Sequence, residues 1–136
     1  MLTKYFGNEP MLAGRRTVEN ILTIKHIKEM KRYGTVIKVR PEKLQEYKDL
    51  HAATWEGVLE VNSQCNIRNY SIYYRDGYLF SYFEYVGEDY AADMAKMAAS
   101  PVVQEWWKLC IPCQERVETA EEGDWWAPME EVFHQD

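Results

Sequence analysis

No apolar run in the 136-residue sequence exceeds a few residues, whereas a membrane-spanning helix needs roughly 20 and the core of a secretory leader roughly 7–15. Neither segment is expected, and a cytoplasmic location is the default reading. Cysteine is scarce and odd in number (Cys65, Cys110 and Cys113), which excludes a disulfide framework and agrees with a reducing compartment. A basic excess is also missing. The net charge is -6 and Lys and Arg are scattered rather than striped, so no surface tracks a phosphate backbone and nucleic acid is not an expected partner. Cys110-Ile111-Pro112-Cys113 has the spacing of a redox or zinc motif. It follows a helical run instead of opening one, so no helix dipole lowers a thiol pKa, and no second cysteine pair completes a zinc set.

Aromatics are abundant by contrast, with ten Tyr and five Trp. Rings with polar tips suit a wall where a polar ligand meets apolar surface, although core filling accounts for most of them. The length fits one domain that buries about two thirds of its unfolded surface. Residues 1–29 hold five Lys or Arg against three Glu, giving +2 against -8 for the remainder. They read as an N-terminal extension, weakly ordered or peripheral, ahead of one domain over residues 30–136. A short amphipathic helix at Val18 to Ile27 would be marginal without a partner face.

From Tyr33 the pattern alternates, with Tyr33, Thr35, Ile37 and Val39 on one side, and predicts a half-buried strand. Pro41 and Glu42 suit a helix start, and the periodicity predicts one helix to about Val61, ended by Asn62-Ser63-Gln64. Asn66–Tyr74 and Tyr78–Val86 are β-prone runs, and the Asp76-Gly77 between them is a hairpin signal. Parity sets Tyr70, Ile72 and Tyr74 on one face. Asp89 to Ala99 predicts an Ala/Met-rich helix. Ser100-Pro101 predicts a restart, as N-cap and first helical residue, with Val102, Val103, Trp106, Trp107 and Cys110 turned inward. Met129 to Phe133 is β-prone and predicts a fourth strand. The order is β-α-β-β-α-β, an α+β ferredoxin-like fold with an antiparallel sheet. Its uncovered sheet face would carry Tyr, Phe, Val and Ile, so a homodimer is expected.

The stretch that organises the chemistry is Glu46 to Trp55. Residues four apart stack on one helix face, so Leu44, Tyr47, His51, Trp55 and Val58 form a stripe with an imidazole between aromatic rings. Trp106-Trp107 supplies a second aromatic pair, and the two read as walls of one small-molecule pocket. Two adjacent indoles on a helix cannot share a face, so at least one of them packs elsewhere. A single histidine on a helix face is more often structural than catalytic, and His26 and His134 read as solvated or terminal.

Glu46-Tyr47-x-x-x-His51-x-x-x-Trp55, Asn69-Tyr70-Ser71-Ile72-Tyr73, Val103-Gln104-Glu105-Trp106-Trp107-Lys108 and Glu131-Val132-Phe133 stand in order over residues 31–134. Together they resemble the L-rhamnose mutarotase family. The resemblance implies a dimeric α/β barrel built on the ferredoxin-like fold and exchange of the α and β anomers of L-rhamnose, or a similar 6-deoxy aldose, with no cofactor or metal. It assigns proton transfer to His51 and sugar contacts to Tyr47, Tyr70, Trp106 and Trp107. The extension lies outside the family pattern, and Glu56 follows Trp55 where the family often has Pro. A small dimeric-barrel oxygenase and a non-catalytic sugar-binding module are the rival classes, since fold alone does not determine function.

Overall fold

The computed structural model describes residues 29–136, so the expectation for the N-terminal extension lies outside the described residues. Strand β1 (Lys31–Val39) is the hub of the sheet. Strand β2 (Ile67–Arg75) and strand β3 (Tyr78–Tyr85) form the hairpin, and β3 pairs antiparallel with β1 from Lys31↔Tyr85 to Lys38↔Tyr78. The opposite edge of β1 takes two short strands, β4 (Gln114–Glu115) and β5 (Ala127–Pro128), both antiparallel. The order β2-β3-β1-β4 is that of the expected ferredoxin-like α+β fold. The hairpin turn is the one expected: Asp76 and Gly77 both have positive φ, 52° and 86°, which brings the backbone twist of the turn into line with the strands.

Two expectations are corrected. The first helix is interrupted, giving α1 (Leu44–Ala52) and α2 (Glu56–Gln64). Trp55 between them is extended, with φ -61° and ψ 134°, and the Thr54 hydroxyl donates to the His51 carbonyl at 3.2 Å. A Thr side chain that bonds the preceding turn competes with the helix ladder, and the apolar spacing runs across the break without revealing it. Asn62-Ser63-Gln64 stays helical instead, and Asn66, at φ 65°, turns the chain after Cys65. The second correction is at the C-terminus. Met129 to Phe133 is not a strand. The Met129 N–H gives one bond to the Gly34 carbonyl at 2.8 Å, after which an Arg32–Glu131 ion pair at 2.9 Å takes the place of backbone pairing.

Helix α3 (Tyr90–Ala98) is capped by Asp89, whose carboxylate accepts from the Ala92 N–H at 3.0 Å. Helix α4 (Pro101–Cys110) begins at Pro101 with Ser100 in the N-cap position, although the Ser100 side chain makes no capping bond. The helices cover one sheet face. Ile37, Val39 and Leu79 from the sheet meet Tyr47, Val58, Trp106, Cys110 and Cys113 in one buried core. Each fully buried aliphatic side chain in such a core contributes roughly 1.5–3 kcal/mol. The opposite face carries Val36, Phe80 and Tyr73 in register, and Tyr73 is 67% exposed.

An irregularity in β2 matters for the site. The β2–β3 register slips between Arg68 and Ser71, and Asn69 sits there at φ 50° with its amide donating to Glu84 at 2.6 Å. Asn tolerates this left-handed geometry better than most residues. The extra residue in this β-bulge turns the next side chain, Tyr70, onto the helix-covered face.

Candidate active site

His51 lies in the last turn of α1, one turn after Tyr47. The two rings stack at 4.2 Å between centroids, and Trp106 of α4 presents its ring at 5.3 Å to His51 and at 5.3 Å to Trp55. Tyr47 of its own helix and Trp106 of α4 thus flank the imidazole, and Trp55 packs behind Trp106. The break after Ala52 frees Trp55 from the helical spiral, and the fold still returns it to the cluster through Trp106.

The tautomer of His51 follows from its partner. Nδ1 lies 2.9 Å from the Tyr47 carbonyl oxygen, and a carbonyl can only accept, so Nδ1 carries the hydrogen. Nε2 is then the nitrogen with a lone pair. The pKa of His51 lies below the ordinary 6.5, because burial disfavours the charged ring more than the Tyr47 carbonyl favours it. Near neutral pH this residue is a neutral base with a fixed orientation.

Tyr70 reaches the site from the sheet. Its ring meets Phe83 edge-on at 5.8 Å, beside a stack in which Tyr33 lies 5.1 Å from Phe83 and 4.7 Å from Tyr90. The residue is 47% exposed, yet its hydroxyl is pushed up to about 12, first by burial and then by its neighbours Cys110 and Tyr90. Tyr47 is only 4% exposed; burial raises its phenol pKa, with Tyr70 as the next cause. Both phenols stay protonated at neutral pH.

The structure separates the adjacent indoles. Trp106 is buried and belongs to the ring cluster, whereas Trp107 is 36% exposed and lines a shallow outer depression with Gln104, Lys108, Ile111 and Pro112. The 100° step between consecutive helical residues accounts for this. Another shallow depression, lined by Glu46, Asp49, Leu50, Ala53 and Trp55, contains neither His51 nor Tyr70. Cys110 closes α4 and Cys113 follows in a single 3-10 turn. Both thiols are free and buried, and burial pushes Cys110 up to about 12, so it is a protonated packing group. Among the described residues no three His, Cys, Asp or Glu side chains gather to hold a metal ion.

Two residues near the site carry no sequence signal of their role. Gln114 is buried at 5% exposure; its amide nitrogen donates to the Tyr47 hydroxyl at 3.4 Å and its oxygen accepts from the Trp125 indole at 2.7 Å. An isolated Gln gives no hint of such pairing.

Comparison with known proteins agrees with this architecture. The family model for L-rhamnose mutarotase matches residues 32–135. L-rhamnose mutarotase of Oceanobacillus iheyensis is 30% identical over 109 residues, which cover 79% of this chain and 100% of that protein. The enzyme of the same name from Phocaeicola vulgatus is 32% identical with the same coverage. Among solved structures, L-rhamnose mutarotase from Formosa agariphila superposes with a TM-score of 0.60 at 21% identity, over 78% of this chain and 99% of that one. Tetracenomycin F2 cyclase of Streptomyces glaucescens superposes at 0.55 with 16% identity, over 78% and 99%. These two superpositions speak to the fold alone. With the family model spanning nearly all of the described domain, the chain belongs to the L-rhamnose mutarotase family.

Proposed function

We propose that the protein interconverts the α and β anomers of L-rhamnose, with His51 as the proton-transfer residue. The observation that carries this is the fixed tautomer: Nδ1 is tied to the Tyr47 carbonyl and the other ring nitrogen is left as a base. In the reaction that base removes the proton of the C1 hydroxyl. The C1–ring oxygen bond breaks, C1 becomes an aldehyde, and the ring oxygen takes up a proton. Rotation about C1–C2 presents the other face of the aldehyde; the ring hydroxyl adds back as its proton leaves, and the C1 oxygen takes up a proton. No electrons are gained or lost, so no redox cofactor enters. A histidine suits both directions because its pKa lies near the working pH.

The remaining assignments follow the same reading. Tyr47 and Tyr70 act as hydrogen-bond donors to sugar oxygens, and Trp106 is an apolar wall for the C–H face. Burial of the C6 methyl is worth about 0.8 kcal/mol, which favours a 6-deoxy sugar modestly. Trp107, turned outward in the single chain, contacts the sugar only if the site extends to that side of α4. Among the described residues no helix is long and apolar enough to cross a membrane, and the three free thiols suit a reducing cytoplasm.

Saturation-transfer NMR on equilibrated L-rhamnose tests the activity. Irradiating one anomeric proton is expected to deplete the other in the presence of catalytic amounts of protein. Absence of transfer with rhamnose, fucose and other aldoses at neutral pH would overturn the reading, and oxygen consumption with quinol-like substrates would then be the next assay.

A homodimer through the open sheet face completes the proposal. Val36 faces Phe80 across β1–β3, and Phe80 faces Tyr73 across β2–β3, which forms an apolar centre of the kind a twofold interface buries. Phe80→Arg is expected to raise the dimer dissociation constant at least about a hundredfold, since an unpaired charge at a buried interface costs several kcal/mol. Sedimentation equilibrium would show it; an unchanged mass would exclude this face.

A further inference from the structure

We infer that Gln114, oriented by Trp125, is a positioning residue that clamps the Tyr47–His51 pair for anomer exchange; this rests on the function proposed above. Gln114 stands on β4 opposite Val39, and cross-strand partners project to the same face. Val39 belongs to the core beneath the helices, so Gln114 also points toward α1. Its backbone is held at that place by the Arg40 N–H, which donates to the Cys113 carbonyl at 2.8 Å.

The orientation of its amide is determined by chemistry. An indole N–H can only donate, so the oxygen of Gln114 is the atom that meets Trp125 at 2.7 Å. The NH2 group therefore faces the Tyr47 hydroxyl at 3.4 Å. With a lone pair of that hydroxyl engaged by an N–H, the phenol proton is left to point away from Gln114. Tyr47 in turn touches His51 twice, through its carbonyl on Nδ1 at 2.9 Å and through its ring at 4.2 Å. Holding the far end of the Tyr47 ring thus restrains the plane against which the imidazole lies. Trp125 is placed by Arg116, whose guanidinium donates to the carbonyls of Asp124 at 2.8 Å and Glu121 at 2.6 Å. The chain of contacts runs from a surface loop to the base.

The experiment uses the full chain and L-rhamnose, with kcat and KM read by saturation transfer and the His51 ring nitrogens followed by 15N NMR, assigned against His51→Ala. Gln114→Leu removes the donor with little change in volume. It is expected to lower kcat about tenfold, the effect of one well-placed hydrogen bond, with a smaller change in KM. The His51 nitrogen shifts are expected to move from one pure tautomer toward averaged values. Gln114→Glu keeps the acceptor for Trp125 but offers Tyr47 an oxygen, and lowers kcat at least as far. Trp125→Phe removes the indole donor while keeping an aromatic ring; it carries the same two readouts if Gln114→Leu does not fold. An unchanged kcat in a folded variant overturns the inference, and so does a fall in kcat with unmoved His51 shifts. If the wild type exchanges no aldose, the functional reading fails separately, and the His51 shifts alone decide the clamp: moved shifts support it and unmoved shifts overturn it.

Discussion

His51→Ala is expected to lower the anomer-exchange rate by about 10²–10⁴ while the protein stays folded, the usual contribution of a general acid–base group. The imidazole is half-buried, at the edge of the core and not in its centre, so its truncation removes one ring stack and leaves Ile37, Leu79 and Trp106 packed. Saturation transfer on rhamnose, paired with circular dichroism, separates loss of chemistry from loss of fold. Retention of more than a tenth of the wild-type rate would remove His51 from the proton-transfer role. The wild-type pH profile carries the same prediction. Because the folded-state pKa of His51 is lowered from 6.5, its neutral form still predominates at pH 6.5, and the acid limb of the rate profile falls below that pH. The linked effect on stability has a definite sign. The unfolded chain takes up the proton first, so stability declines as pH falls from about 6.5 through the lowered value, and this contribution is fully present above 6.5.

Trp106→Ala is expected to destabilise the domain by about 3–5 kcal/mol, the range for removing a buried Trp from a core. Trp106 is 5% exposed and packs in the same cluster as Ile37, Tyr47, Val58 and Leu79. Deleting the indole leaves a cavity in that core and unseats both His51 and Trp55, its edge-on partners. Against a total of roughly 5–15 kcal/mol for a domain, this corresponds to a fall in Tm of roughly 15 °C, measurable by calorimetry. Trp107→Ala is the control. Its partly exposed ring lies over the outer depression, so its removal costs far less stability. Equal losses for the two variants would contradict the division of α4 into an inner and an outer indole.

Much of this arrangement was legible in the residues. The alternation around Ile37, the Asp76-Gly77 turn, the Ser100-Pro101 restart and the one-turn spacing of Tyr47 and His51 are all local signals, and the structure carries each of them. The strands on the far edge of β1 leave no signal in the sequence because β4 and β5 are two residues each, too short for a period of two to register. Their place on the sheet depends on which edge of β1 is free, not on their own composition. The break in the first helix is hidden for a related reason. The apolar residues keep their spacing across residues 53–55, and only the backbone angle at Trp55 and the Thr54 bond reveal the interruption.

The division between chain and fold is clear at the site. The sequence alone determined that a histidine lies one helical turn from a tyrosine and that two indoles are adjacent, because helical geometry turns spacing into proximity. Tertiary structure decided that Trp106 faces that histidine while Trp107 faces away, that a bulge at Asn69 turns Tyr70 inward, and that Gln114, 67 residues further along the chain, meets both Tyr47 and Trp125. Those contacts arise when elements with no periodic relation to one another are pressed together by burial of a common core. No spacing within the sequence encodes which side chains then meet.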